Sequence, residues 1–145
     1  MLTRDGHALN TLSERIVGAA CKVHTALGPG LLESAYEACL EHEMRCGGLD
    51  VERQKTLPVR YDEVFVDAGY RIDLLVQDSI VVEVKSVKQL TALHKAQLLT
   101  DLKLSGRSVG LLLNFNVERM KHGGINRLVH RFQGPRPGDR QSSRQ

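Results

Sequence analysis

The sequence predicts a single α/β domain in which helices pack on one mixed β-sheet. Three observations support this fold class. Apolar residues recur with helical spacing in three segments, strand-like segments fill the interval between residues 51 and 87, and a continuous apolar run follows the third helix. The predicted order is two helices, three or four strands, a helix, a strand and a last helix, as in a mixed-sheet sandwich. At 145 residues, the chain is long enough to bury one such core.

Two helices are predicted in the first third of the chain. Apolar side chains share one face over residues 12–27, and this helix must end at Gly28-Pro29-Gly30. A second helix is predicted from about residue 31 to residue 44, and Gly47-Gly48 ends it.

Two hairpins are predicted next. Residues 59–66 form the first hairpin. The second pairs residues 70–76 with residues 80–87, and its turn is Gln77-Asp78-Ser79.

The remaining elements complete the sheet. Residues 91–104 return to helical spacing, and residues 108–115 are a continuous apolar run typical of a buried strand. A short helix is predicted at residues 125–130. Residues 133–145 contain Gly, Pro, Arg and Ser without an apolar anchor, so we expect a domain over residues 1–132 and a disordered tail.

Composition excludes several classes of protein. No apolar run approaches the roughly 18 residues that span a bilayer, so no membrane association is expected. Residues 1–12 lack the continuous apolar segment of a secretion signal. Three cysteines without a repeated spacing favour a reducing compartment, and we expect a cytoplasmic protein.

Charge is distributed unevenly along the chain. Residues 1–83 carry 8 Lys/Arg against 14 Asp/Glu, whereas residues 84–132 carry 9 against 2. An acidic half joined to a basic half suits a domain that holds cations beside a polyanion. The alternative is that the two halves neutralise each other across the fold.

The residues with the clearest chemical pattern are Asp73, Glu83 and Lys85. Glu83 and Lys85 are two apart, so in a strand they share a face. If the second hairpin turns about Asp78, Asp73 lies directly opposite Glu83, with Cβ atoms about 4.5–5.5 Å apart. Two carboxylates at that distance suit a hard divalent cation between them. The alternative is a solvated strand face with a register one residue off, which would move Asp73 to the other face.

Other polar residues have competing explanations. Glu33 lies in the first turn of the second helix, where the helix dipole favours an acid, so capping is a sufficient reason for it. Gln97 lies in mid-helix and could simply be exposed. His24 could interact with carbonyls at its helix end or approach the site near Glu33.

Zinc binding is a weaker hypothesis. Cysteine and histidine recur three residues apart at Cys21/His24 and Cys39/His42, followed by Cys46. These pairs lie within helices rather than in knuckle turns, and Cys39 lies on an apolar stripe.

Several segments together resemble the bacterial GxxExxY proteins. The heptad from Gly30 to Tyr36 carries that signature, and Tyr70-Arg-Ile-Asp73, Glu83-Val-Lys85 and His94-x-x-Gln97 are similar to further motifs of the family. The resemblance covers about residues 10–130. That family is placed in the PD-(D/E)xK nuclease-like superfamily, so the resemblance implies a restriction-endonuclease-like core, a central mixed β-sheet flanked by helices on both faces.

The resemblance also implies a site. Glu33, Asp73 and Glu83 would bind metal with the backbone carbonyl of Val84, and Lys85 would be the catalytic lysine. One residue departs from the pattern of RecB-like members, which carry Q-x-x-x-Y on the helix after the Glu-x-Lys strand. Here Gln97 is present but Asp101 occupies the tyrosine position, where it cannot stack on a base and adds negative charge.

We therefore expect Mg²⁺- or Mn²⁺-dependent hydrolysis of DNA or RNA, with Glu33, Asp73, Glu83 and Lys85 as catalytic residues. Aromatic residues make up 4% of the chain, so recognition would be mostly electrostatic. The predicted substrate-binding residues are Lys88, Lys95, Lys103, Arg107, Gln97 and Tyr36. The alternative is a nuclease fold kept as a binding or assembly module without turnover. So short a chain could also require a homodimer or a partner protein.

Overall fold

A computed structural model describes residues 4–131 of the protein. Helices cover α1 (Arg4–Leu27), α2 (Glu33–Cys46) and α3 (Ala92–Ser105). The strands are β1 (Val51–Thr56), β2 (Val59–Tyr61), β3 (Val64–Val66), β4 (Arg71–Val76), β5 (Ile80–Lys85), β6 (Val109–Asn114) and β7 (Ile125–Val129). A kinked turn covers Met120–Gly124, and His122 and Gly123 within it depart from helical backbone angles.

The main sheet has five strands in the order β1-β4-β5-β6-β7. The central pair β5–β6 is parallel and every other pair is antiparallel. Helix α3 connects the two parallel strands, as a parallel pair requires a crossover. The predicted mixed-sheet α/β fold is therefore confirmed.

Both faces of the sheet are covered. On one face, Val82 and Val84 of β5 join a core with residues of α1 and α2. On the other face, Val81 packs with Leu98 and Leu102 of α3. Because successive strand residues point to opposite faces, this alternation assigns Glu83 and Lys85 to the α3 side.

The β2–β3 hairpin forms a separate two-stranded sheet. It follows β1 and precedes β4, and all its residues from Arg60 to Val66 are exposed. Among its side chains, Tyr61 and Phe65 are the large exposed aromatics. The first predicted hairpin is thus confirmed, but it lies outside the main core.

One predicted helix is wrong. Residues 125–129 form β7, which pairs antiparallel with β6 from Ile125↔Leu113 to Val129↔Val109. The buried strand β6 needs a backbone partner on its free side, and β-branched Ile125 and Val129 suit a strand. Strand β1 was not predicted individually, although it lies within the strand-like interval that begins at residue 51. The predicted tail at residues 133–145 lies outside the described residues.

No helix within residues 4–131 is both long and apolar enough to cross a bilayer.

The contact between α3 and β6 yields a stability test. A Cβ atom on Gly110 would lie 2.8 Å from Leu98 Cδ1, and Leu98 is fully buried. We expect Gly110→Ala to lower the free energy of unfolding by about 1–3 kcal/mol, because the helix must move away from the sheet. Chemical denaturation measures this.

The matched control is Gly18→Ala in α1, where nothing lies within 4 Å of an added Cβ. That substitution should raise the free energy of unfolding by about 0.5–1 kcal/mol, because alanine favours a helix interior. Equal behaviour of the two variants would contradict close packing at Gly110.

Candidate active site

The register of the β4–β5 hairpin decides which polar side chains meet. Leu74 pairs with Val82, Leu75 with Val81 and Val76 with Ile80. This is the register predicted from a turn at Asp78. The next position along both strands brings Asp73 beside Glu83.

At Asp73 the two strands stop pairing through their backbones. The Asp73 N–H instead donates to Glu83 Oε1 at 3.3 Å, and the Val84 N–H donates to Asp73 Oδ2 at 2.8 Å. The carboxyl groups of Asp73 and Glu83 thus take the place of the backbone carbonyls that would otherwise accept these two N–H groups. The two acids are fixed by the backbone, and each keeps a second oxygen for other partners.

A cavity of about 530 Å³ opens above these acids. Asp73, Glu83 and Lys85 line its floor, and α3 forms one wall. The α3 residues that line it include His94, Gln97 and Asp101. The structure therefore brings three predicted site residues and Gln97 together, and adds Asp101 and His94.

Burial and mutual repulsion dominate the electrostatics of this cavity. Burial raises the pKa of Glu83 to about 11, and the neighbouring carboxyls of Asp73 and Asp101 add to the shift. Burial also raises the pKa of Asp101, whereas a hydrogen bond with Glu83 and, more weakly, the charge of Lys85 oppose the rise. The cavity therefore holds several carboxyl groups whose simultaneous ionisation is unfavourable.

A second layer of polar residues supports Asp73. Glu37 of α2 is buried, and its carboxylate accepts hydrogen bonds from Arg53 Nε and Gln54 Nε2, each at 2.7 Å. The same Gln54 amide donates to Asp73 Oδ1 at 3.3 Å. Burial raises the pKa of Glu37, while Arg53 opposes the rise. Gln54 thus bridges two acids that would otherwise repel.

Sequence reasoning missed Glu37 and assigned Asp101 only as a departure from a motif. Both residues are acids on helix faces that are otherwise apolar. Glu37 lies between Tyr36 and Leu40, and Asp101 lies beside Leu98 and Leu102. An acid on a buried stripe is the signal that could have identified them.

The donor set suits a divalent cation. Asp73, Glu83 and Asp101 offer carboxylate oxygens, the ligands that Mg²⁺ and Mn²⁺ prefer. Within residues 4–131, no group of three or more His, Cys, Asp or Glu is arranged to hold a metal. Mg²⁺ takes one or two carboxylates besides water and phosphate, and Asp73 and Glu83 are the two acids of the cavity that lie directly beside each other.

Glu33 lies beside the cavity rather than in its lining. It is the first residue of α2 and exposed, and its Oε2 accepts the Ser86 N–H at 3.0 Å. Ser86 directly follows Lys85, and its hydroxyl donates to the Leu31 carbonyl at 2.7 Å. Glu33 therefore fixes the end of β5 close to Lys85.

Tyr36 was predicted to bind substrate, and the prediction is wrong in that its side chain is not accessible to make a direct contact. Its side chain is fully buried and stacks on Phe115 with ring centroids 4.6 Å apart. Its hydroxyl donates to the Gly28 carbonyl and accepts the Leu31 N–H at 3.1 Å. Tyr36 thus holds the turn between α1 and α2.

The predicted lysines and arginine divide between two ends of the sheet. Lys88 and Lys95 are exposed between the end of β5 and the first turn of α3. Lys103 lies in the last turn of α3, and Arg107 forms an ion pair of 2.6 Å with Asp78 in the β4–β5 turn. Because α3 runs back along the parallel strands, Lys103 and Arg107 lie at the end opposite Lys85, outside the acidic cavity, and their part in substrate binding stays a prediction.

The candidate zinc residues lie apart from the acids. His42 Nε2 is 3.5 Å from Cys46 Sγ on α2. His24 is buried, and its Nε2 contacts the Val117 carbonyl at 2.7 Å. His24 therefore ties α1 to the loop after β6.

The raised pKa of Glu83 gives a pH prediction. Between its ordinary value near 4.5 and about 11, folded Glu83 retains a proton that the unfolded chain has lost. In metal-free buffer, the free energy of unfolding should therefore fall with rising pH, by up to about 1.4 kcal/mol per unit. Glu83→Gln should remove this dependence of the unfolding free energy on pH, and urea denaturation at about pH 5 to 9 measures it.

The control is Glu52→Gln on exposed β1, which should keep the pH dependence of the unaltered chain. If the unfolding free energy of Glu83→Gln fell with pH as steeply as that of the unaltered chain, the assignment to Glu83 would be contradicted.

Tyr36→Phe tests the structural role of the buried hydroxyl. We expect a loss of about 1–3 kcal/mol in the free energy of unfolding, because two backbone partners lose their hydrogen bond. Tyr61→Phe, at an exposed tyrosine, should change it by less than about 0.5 kcal/mol. Unchanged stability in both variants would contradict this role.

The family comparison agrees with this geometry. Residues 10–128 match the model of the PD-(D/E)XK nuclease superfamily. No curated protein and no solved structure matches the chain. The matched segment contains the five strands of the main sheet up to Leu128 and every acid of the cavity, and the chain belongs to the PD-(D/E)XK nuclease superfamily.

Proposed function

We propose that the protein is a metal-dependent nuclease that hydrolyses phosphodiester bonds in nucleic acid. The observation that carries the proposal is the meeting of Asp73, Glu83 and Lys85 in one cavity. Two acids fixed on neighbouring strands, with an ammonium one pleat along β5, combine the groups that phosphoryl transfer requires. The finer assignment to GxxExxY proteins rests on the heptad from Gly30 to Tyr36 together with the further motifs at residues 70–73, 83–85 and 94–97.

Asp73 and Glu83 are the proposed ligands of Mg²⁺ or Mn²⁺. The Val84 carbonyl is a third candidate, because its N–H points to Asp73 and both polar groups of a strand residue face the same neighbour. Glu33 would join them from outside the cavity, on giving up the Ser86 N–H. When bound, the metal lowers the pKa of a water and neutralises charge on the phosphate.

The other lining residues act on the substrate directly. The Lys85 ammonium stabilises negative charge on the phosphate and orients the attacking water. His94 Nδ1 accepts the Thr91 N–H at 3.0 Å, so the neutral ring carries its proton on Nε2. That Nε2–H, with the Gln97 amide, is available to hold a phosphate or sugar oxygen.

A nuclease fold without turnover is the second candidate. Asp101 favours it, because this acid is buried beside Glu83 and raises the pKa of that carboxyl. A carboxyl that keeps its proton is a poor metal ligand. In that case the cavity would bind nucleic acid or a partner protein without cleaving it.

Isothermal calorimetry and a cleavage assay separate the two candidates. We expect Mg²⁺ or Mn²⁺ to bind the unaltered chain, and Asp73→Asn and Glu83→Gln each to abolish binding. Labelled single-stranded DNA, duplex DNA and RNA, each incubated with metal, test turnover. Lys85→Met should lower the cleavage rate at least about 10²-fold while circular dichroism stays unchanged, because it removes charge stabilisation in the transition state.

The matched control is Lys22→Met on α1, which removes an exposed ion pair with Glu43 and should leave the rate unchanged. Metal binding without cleavage of any of the three substrates would favour the module. Cleavage that survives in Lys85→Met would contradict the proposed role of that lysine.

A further inference from the structure

The loop after β6, residues 115–124, leaves the sheet at the same edge as Lys85. Lys85 pairs with Asn114 in the parallel register, and the Phe115 N–H donates to the Lys85 carbonyl at 2.9 Å. The Asn114 side chain accepts the Val87 N–H at 3.1 Å and donates to the Val87 carbonyl at 3.0 Å. The segments that follow β5 and β6 are thus bonded to each other where they leave the sheet.

This loop is held in one conformation by buried contacts. Met120 is buried, and the His122 N–H donates to the Arg119 carbonyl at 3.0 Å. A Cβ atom on Gly124 would lie 2.9 Å from the Asn114 carbonyl oxygen. His24 holds the start of the loop through Val117. The turn therefore presents its exposed side chains from an anchored backbone.

The exposed side chains of the turn are cationic. Arg119 and Lys121 flank buried Met120, and His122 follows them. Within the described part of the chain, neither Arg119 nor Lys121 lies within 4.0 Å of a carboxylate, whereas Arg107 is committed to Asp78. Glu118 is the single acid of this segment, so the turn keeps a net positive charge.

A second cavity, of about 490 Å³, lies between this turn and the end of α1. Arg119 and Lys121 line one side together with the acid Glu118, and Gly28 and Pro29 line the other. The Gly28–Pro29 turn continues to Leu31, whose carbonyl binds Ser86 directly after Lys85. The turn that borders this cavity is thus bonded to the residue after Lys85, although the two cavities share no lining residue.

We propose that Arg119 and Lys121 bind the phosphodiester backbone of the nucleic acid on the side of the scissile phosphate away from α3. The inference rests on the proposed function, since it names the surface that receives that substrate. Ligands of open α/β sheets bind outside the carboxyl ends of the parallel strands, and this loop lies at that edge. Two cations that pair with no carboxylate among residues 4–131 match the repeating charge of a polynucleotide.

Binding without turnover tests the inference. Fluorescence anisotropy of a fluorescein-labelled DNA duplex and of an RNA strand is measured in EDTA, across about 50 to 200 mM KCl. We expect Arg119→Gln/Lys121→Gln to weaken binding at least about 10-fold at low salt. The slope of log affinity against log salt should fall by about 1 for each cation removed. Circular dichroism and thermal melting verify the fold of the variant.

Lys22→Gln is the matched control, an exposed lysine of α1 that pairs with Glu43, and its slope should stay that of the unaltered chain. Equal affinity and slope in the double variant and the control would overturn the inference, even if the unaltered chain cleaves nucleic acid. Loss of binding in the double variant but not in the control supports the inference, even if no cleavage is found. The binding surface and the nuclease activity can therefore be contradicted independently. No binding of the unaltered chain to either probe would overturn the inference as well.

Discussion

The opening of the β4–β5 ladder at Asp73 is the feature on which the rest of the site depends. Up to Leu74 the strands pair through their backbones, and beyond it the carboxylates of Asp73 and Glu83 accept the strand amides. The cavity lined by α3 lies at this separation, and Gln54 donates to Asp73 at the same point. A shift of one residue in the register would turn Asp73 to the other face and leave Glu83 without its neighbour.

Placing several acids close together destabilises the fold, and apolar packing on the opposite face of β5 offsets this. Val82 and Val84 are buried in the core with α1 and α2, so β5 stays in place although its other face carries Glu83. On the other side of Asp73, hydrogen bonds from Arg53 and Gln54 stabilise the buried carboxylate of Glu37. The chain thus holds several acids in a small volume by fixing each of them to a different structural element.

Local patterns were sufficient for much of this arrangement. The three helices, the hairpin turn at Asp78 and the shared face of Glu83 and Lys85 follow from spacing that a single segment contains. Residues 125–129 were assigned wrongly because their conformation is decided by pairing with β6, which lies outside the segment itself. Sequence also could not place Arg107 and Lys103, since the direction of α3 over the sheet, rather than charge, decides which end they occupy.

The separate β2–β3 hairpin has a consequence for the mobility of the molecule. A two-stranded ribbon without a packed face is marginally stable by itself, and all its residues from Arg60 to Val66 are exposed. Its amide protons should therefore exchange through local opening, at rates unrelated to the global unfolding that governs β5 and β6. Since Gly69 and Tyr70, just beyond the hairpin, line the acidic cavity, the rim of that cavity is compliant while its floor is rigid.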